Sequence, residues 1–118
     1  MTKLQGRAGE DLACRYLQQQ GMRLIARNYR CRRGEIDLIM LHGDSLVFIE
    51  VRYRHRPNYG SAAESIDFRK QRKISHCALH YLQRHPAFAR YPGRFDVVCI
   101  APGDSGLKVK WISDAFRA

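Results

Sequence analysis

Two acidic residues, Asp37 and Glu50, lie in neighbouring apolar segments, Glu35 to Leu41 and Ser45 to Arg54, that read as the strands of a hairpin. His42, Gly43 and Asp44 separate them. With Gly43 first and Asp44 second in a type II′ turn, His42 faces Ser45 and the register is fixed. Leu41 then faces Leu46, Ile39 faces Phe48, Asp37 faces Glu50 and Glu35 faces Arg52, all on one side because side chains alternate. The other side pairs Met40 with Val47, Leu38 with Ile49 and Ile36 with Val51, an apolar face that a helix must cover. Directly opposed carboxylates are normally destabilising. A hard divalent cation removes that repulsion, since Mg²⁺ is commonly held by one or two carboxylates, with water and phosphate oxygens completing its shell. Spacing alone leaves one alternative open, a slipped register in which the two acids meet solvent or arginines. Glu10 is a third acid, at the edge of a helix's buried stripe, where it either joins the site or only favours the helix N-terminus.

These residues need a scaffold. From Arg7 to Gln20 the residues Leu12, Ala13, Tyr16 and Leu17 recur with helical spacing, and Gly21 is placed to end the run. Arg23 to Arg30 reads as an edge strand of imperfect alternation, and the hairpin follows. Residues Pro57 to Ala63 read as a loop able to move over a substrate. A second helix is expected from near Ile66, with Ile74, Cys77, Ala78, Tyr81 and Leu82 as its buried stripe and Pro86 just beyond its end. Phe95 to Ile100 and Leu107 to Ile112 supply two more strands around a Pro-Gly-Asp-Ser-Gly turn. The expected order is αβββαββ, an α/β fold with a mixed five-stranded sheet flanked by helices, and 118 residues suit one domain, residues 1–118.

Composition narrows the partners. An apolar fraction of 45% supports a core, while 21 Lys and Arg against 11 Asp and Glu give a net charge of +10, which points to polyanions. Arginine dominates, and its planar fork suits phosphate better than a diffuse lipid surface. Positive charge gathers at Arg23, Arg27, Arg30, Arg32 and Arg33, again at Arg52, Arg54 and Arg56, and again at Arg69, Lys70, Arg72 and Lys73. Contacts of this kind fix position on a nucleic-acid backbone without reading bases, so structured DNA is the expected partner. Of these, Arg30, Arg32, Arg33, Arg54, Arg69, Lys70 and Lys73 are the candidate phosphate contacts.

Cys14, Cys31, Cys77 and Cys99 lack the paired spacing of zinc or redox motifs and are expected to be reduced structural thiols. No signal-peptide stretch opens the chain and no run approaches a membrane span, so a cytoplasmic protein without membrane association is expected. His76 and His80 have metal-pair spacing but no third ligand near in sequence, and read as a helix flank. Tyr53 falls on the buried face, and Tyr59 is free to stack on a base.

The series Gly9-Glu10 with Ala13, Gly34-Glu35-Ile36-Asp37-Leu38-Ile39, Phe48-Ile49-Glu50-Val51-Arg52, Lys70 with Ile74, Arg94-Phe95-Asp96-Val97-Val98 and Ala115-Phe116 resembles the bacterial YraN family over nearly the whole chain. That family is similar in motif order to archaeal Holliday-junction resolvases and other nucleases of the PD-(D/E)xK superfamily. The resemblance implies a restriction-endonuclease-like fold and a homodimer. It also implies a Mg²⁺- or Mn²⁺-dependent endonuclease in which Glu10, Asp37, Glu50 and Arg52 form the catalytic set and Asp37 and Glu50 hold the metal. The pattern's lysine falls at position 52, where this chain has Arg52. Arginine keeps the positive charge but effectively never gives up its proton, so a base role for this residue is lost. A non-catalytic nucleic-acid-binding module that retains the fold is the competing expectation.

Overall fold

The computed structural model describes the backbone of residues 3–54 and 66–117 and the side chains of residues 7–54 and 66–117. The expected loop 57–63, with Tyr59, and Arg56 lie outside the described residues. The elements in chain order are helix α1 (Lys3–Gln19), strands β1 (Arg23–Cys31), β2 (Gly34–His42) and β3 (Ser45–Tyr53), helix α2 (Phe68–Arg84), a short 3₁₀ turn at Pro86–Phe88, and strands β4 (Gly93–Gly103) and β5 (Gly106–Phe116).

Local chemistry explains the boundaries. Gly21 takes φ +93° after α1, and the Met22 N–H reaches back to Leu17 O at 3.1 Å while Gly21 N–H bonds Gln18 O at 3.0 Å, a Schellman ending that asks for glycine. Asp67 caps α2 by accepting the Lys70 N–H at 2.8 Å. Pro86, which has no N–H to donate, stands where α2 gives way to the 3₁₀ turn. Gly43 has φ +59° and Asp44 does not share it, as a type II′ turn with glycine first requires.

The strands form one sheet in the order β1-β2-β3-β4-β5. Only β3 and β4 are parallel, and the long connection between them carries α2, as parallel neighbours demand. Leu38, Met40, Val47, Ile49, Val98 and Ile100 pack on one face with Ala13, Cys14 and Leu17 of α1. Ile39, Leu46, Phe48 and Val97 pack on the other with Ile74, Cys77, Ala78 and Tyr81 of α2. The fold is therefore α/β and restriction-endonuclease-like, with the expected order αβββαββ. No helix among the described residues is long and apolar enough to cross a membrane.

Two expectations are corrected. The hairpin register holds from His42–Ser45 to Leu38–Ile49, but the ladder stops there, so Asp37–Glu50 and Ile36–Val51 are not strand pairs. Ile36 accordingly joins the core under α2 rather than the face it was expected to share with Leu38. The cause is local: the Asp37 carboxylate accepts the Val51 N–H, taking a donor away from strand pairing. The second correction concerns the thiols. Cys31 and Cys77 form a disulfide with Cα atoms 5.6 Å apart, while Cys14 and Cys99 are free and buried. The separation of 46 residues between Cys31 and Cys77 hides a proximity created when α2 lies across the end of β1.

Candidate active site

Asp37 sits one residue past the last β2–β3 pair, where the strands part and a side chain can turn into the gap. Its Oδ2 accepts the Val51 N–H at 2.8 Å, which fixes the carboxyl against β3. Glu50 is only 6% exposed, and its carboxyl lines the same cavity as that of Asp37. Burial pushes Asp37 up to about 8, helped by the Glu50 charge and opposed by the Val51 N–H. Burial also raises Glu50, while Lys70 and then Arg52 pull it back. Two buried like charges cannot both ionise cheaply, so each carboxyl favours the other's holding a proton.

The surroundings are supplied by three other elements. Lys70, in the first turn of α2, brings its Nζ to 3.5 Å from Glu50 Oε1. Arg52 and Glu10 line a cavity of about 160 Å³ together with Asp37 and Glu50. Glu10 is held by Asn28, whose Nδ2 donates to Oε1 at 2.8 Å, and by Arg27 at 3.7 Å. Asn28 lies between the ladder pairs Arg27–Leu38 and Tyr29–Ile36, opposite Asp37, with a left-handed φ of +52°. Asparagine tolerates that backbone better than most residues. Sequence reasoning missed this residue, although an asparagine in mid-strand is itself a signal of an irregular backbone.

Glu10, Asp37, Glu50 and Arg52 thus line one cavity, but not in the expected pairs. Glu35 is 3.9 Å from Arg30 rather than facing Arg52, and Arg52 pairs along the parallel ladder with Cys99. Among the described residues no three His, Cys, Asp or Glu side chains gather closely enough to hold a metal by themselves. Histidine adds nothing here: His80 bonds Tyr29 through Nδ1, and His76 faces outward on α2.

Residues 9–100 match the family described as "Uncharacterised protein family UPF0102". The chain belongs to this family. A UPF0102 protein of Pseudomonas syringae pv. tomato is 50% identical over 116 residues, covering 94% of this chain and 91% of that protein. Another from Nitrosococcus oceani is 51% identical over 112 residues, covering 95% and 90% respectively. A third, from Stutzerimonas stutzeri, is 47% identical over 113 residues, covering 96% and 94%. This is the family that the motifs resemble, and the matched span includes Glu10, Asp37, Glu50, Arg52 and Lys70.

The structure redistributes the basic residues of this UPF0102 chain. Arg33 of the β1–β2 turn joins Arg69, Arg72 and Lys73 of α2 around a concavity of about 350 Å³, so two clusters far apart in sequence form one surface. The turn lies close against α2: a Cβ at position 34 would meet the Cβ of Lys73 at 3.4 Å. Arg32 is exposed, and Arg30, with its side chain 82% exposed, also faces solvent. Lys70 turns inward to Glu50. Arg54, grouped with the outer phosphate contacts by sequence, is half-buried instead. Its Nε and Nη2 are buried without a hydrogen-bond partner among the described residues, and the guanidinium lies near the Cys99 thiol.

Proposed function

We propose that this protein hydrolyses phosphodiester bonds in structured DNA, with Asp37 and Glu50 holding Mg²⁺ or Mn²⁺. The observation that carries the reading is the buried carboxyl pair at the break in the hairpin, lining one cavity with Arg52 and with Lys70 at 3.5 Å from Glu50. The donor set fits such an ion: two hard oxygen ligands leave room for water and phosphate oxygens, which Mg²⁺ prefers to an all-protein cage. A bound divalent ion supplies Lewis-acid polarisation of the phosphate and a water of lowered pKa. The chain's own groups do the rest. Val51 N–H orients Asp37, Asn28 orients Glu10 towards the cavity, and the Lys70 ammonium with the Arg52 guanidinium stabilises negative charge developing on the phosphate. The joined surface of Arg33, Arg69, Arg72 and Lys73 supports binding of a DNA backbone without base reading. A non-catalytic DNA-binding module is the second reading, and Arg52 at the position of the pattern's lysine favours it.

Incubation with branched, flapped and linear DNA in Mg²⁺ and in Mn²⁺, with Asp37→Ala as control, separates the two. Cleavage that disappears in the control supports the enzyme; binding without cleavage of any substrate supports the module. DNA affinity is expected to fall steeply with salt, by displacement of on the order of five counterions. A flat response would remove nucleic acid as the partner.

Lys70 supplies from α2 the compact ammonium that Arg52 does not. Lys70→Ala and Arg52→Ala are each expected to lower turnover about 10²-fold, by comparison with other lost transition-state donors, with much smaller changes in DNA binding. Arg52→Lys should retain or increase turnover. Full activity in Lys70→Ala would show that the ion pair with Glu50 is structural only.

A further inference from the structure

The outer face of α2 carries a second concave surface, distinct from the carboxyl pair. Phe68, Arg72, His76 and Leu79 fall at i, i+4, i+8 and i+11, one stripe of the helix opposite its buried residues Ile74, Cys77, Ala78 and Tyr81. Together with Arg33 from the β1–β2 turn and Arg117 after β5, they line a groove of about 500 Å³. Phe68 is 77% exposed and Leu79 60% exposed, and they are two of the three large apolar side chains so exposed among the described residues. A single exposed apolar residue needs no explanation, but two in one groove mark a contact surface.

The charge identifies the occupant. Among the described residues, three arginines and a histidine line the groove and no carboxylate does, while Asp114 holds Arg117 at 3.1 Å from outside the lining. A second copy meeting this face with its own would set arginines against arginines in a chain of net charge +10, which disfavours self-association through it. A nucleic-acid backbone would satisfy the arginines and a base could stack on Phe68, but Leu79 would have no counterpart. Eleven residues of helix separate Phe68 from Leu79 by about 16 Å. Roughly five residues of extended chain cover that span.

We propose that this groove docks an acidic peptide segment of a partner protein, with carboxylates paired to Arg33 and Arg72 and two bulky apolar side chains set against Phe68 and Leu79. The inference does not rest on the proposed nuclease activity, but Arg33 and Arg72 also line the surface proposed for a DNA backbone, so peptide and DNA compete for them. The test is titration of the ¹⁵N-labelled protein with a pool of short synthetic peptides in which Asp and Glu alternate with two positions occupied by Phe or Leu. A control pool carries Ala at both positions, because a basic protein attracts any acidic peptide. Saturable shifts confined to Arg33, Phe68, Arg72, His76 and Leu79 are expected with the first pool, with affinity about tenfold weaker for the Ala pool, for Phe68→Ser and for Arg72→Glu. Both variants change exposed side chains and should keep the wild-type spectrum elsewhere. Equal affinity for the two pools, or no saturable shift, overturns the proposal. So does a dimer of the chain alone that Phe68→Ser dissociates, which would make the groove a self-interface. Single-stranded DNA whose affinity drops with Phe68→Ser, while the peptide pool fails to shift these residues, would assign the groove to nucleic acid instead.

Discussion

Asp37→Asn is expected to abolish metal-dependent cleavage, by about 10³-fold or more, and at the same time to raise the melting temperature of the metal-free protein. The two effects have one cause. Asp37 is pushed up to about 8 by burial and by Glu50, so the folded state holds a proton that the unfolded chain releases near the ordinary value of 3.8. The pair's stabilising contribution is therefore fully present below about pH 4 and is lost as pH rises through about 8. An asparagine has no proton to lose. Its carbonyl can still accept the Val51 N–H while its amide donates to Glu50, reproducing the protonated acid. At pH 8 the variant should be more stable by roughly 1–2 kcal/mol, which in a domain of this size is on the order of 5 °C. Divalent metal should raise the melting temperature of the wild type and leave Asp37→Asn unmoved, because only a folded site with both carboxylates binds it. The wild-type shift should grow from pH 6 to pH 8 as the competing proton leaves. Thermal scans across that range, with and without Mn²⁺, check all of this. An Asn variant that is less stable and still shifts with metal would show that the carboxyl pair is not the metal site.

Asp96→Ala is expected to destabilise the fold by about 3–5 kcal/mol, the usual consequence of removing one partner from a buried ion pair. Asp96 is 0% exposed, yet its carboxylate is fully satisfied. Arg94 donates from Nε at 2.9 Å and from Nη2 at 3.0 Å, Trp111 Nε1 donates at 2.8 Å and the Asp114 N–H at 2.9 Å. The last bond falls in the irregular stretch of β5 where pairing with β4 shifts after Phe95–Phe116, and Asp114 there has a left-handed φ of +53°. Removing the carboxylate leaves a guanidinium, an indole N–H and a backbone N–H without their acceptor, and releases the β5 irregularity. Urea denaturation should show a lowered midpoint, and Asp96→Asn, which keeps an acceptor oxygen, should fall between. A wild-type midpoint in Asp96→Ala would show that Arg94 and Trp111 find other partners and that the network does not hold β5.

The hairpin and both helices could be read in the sequence because their information is local. Alternating apolar residues and a glycine-first turn set the register from His42–Ser45 to Leu38–Ile49, and a 3.6-residue stripe found Ile74, Cys77, Ala78 and Tyr81. The motif order carried the family, and with it Glu10, Asp37 and Glu50 as the acids to examine. Period-two alternation could not reveal that it stops at Asp37, because what stops it is a side chain accepting a backbone N–H from the neighbouring strand. Nor could sequence distance show Lys70 at Glu50, the Cys31–Cys77 bridge, Asn28 against Glu10 or Arg54 half-buried beside Cys99. Each of these joins residues through an approach that only the completed sheet makes possible: α2 laid across β1 and β2, α1 against β3, and β4 beside β3. Residue types and spacings determined which groups could do chemistry, and the long crossover between parallel strands decided which of them meet.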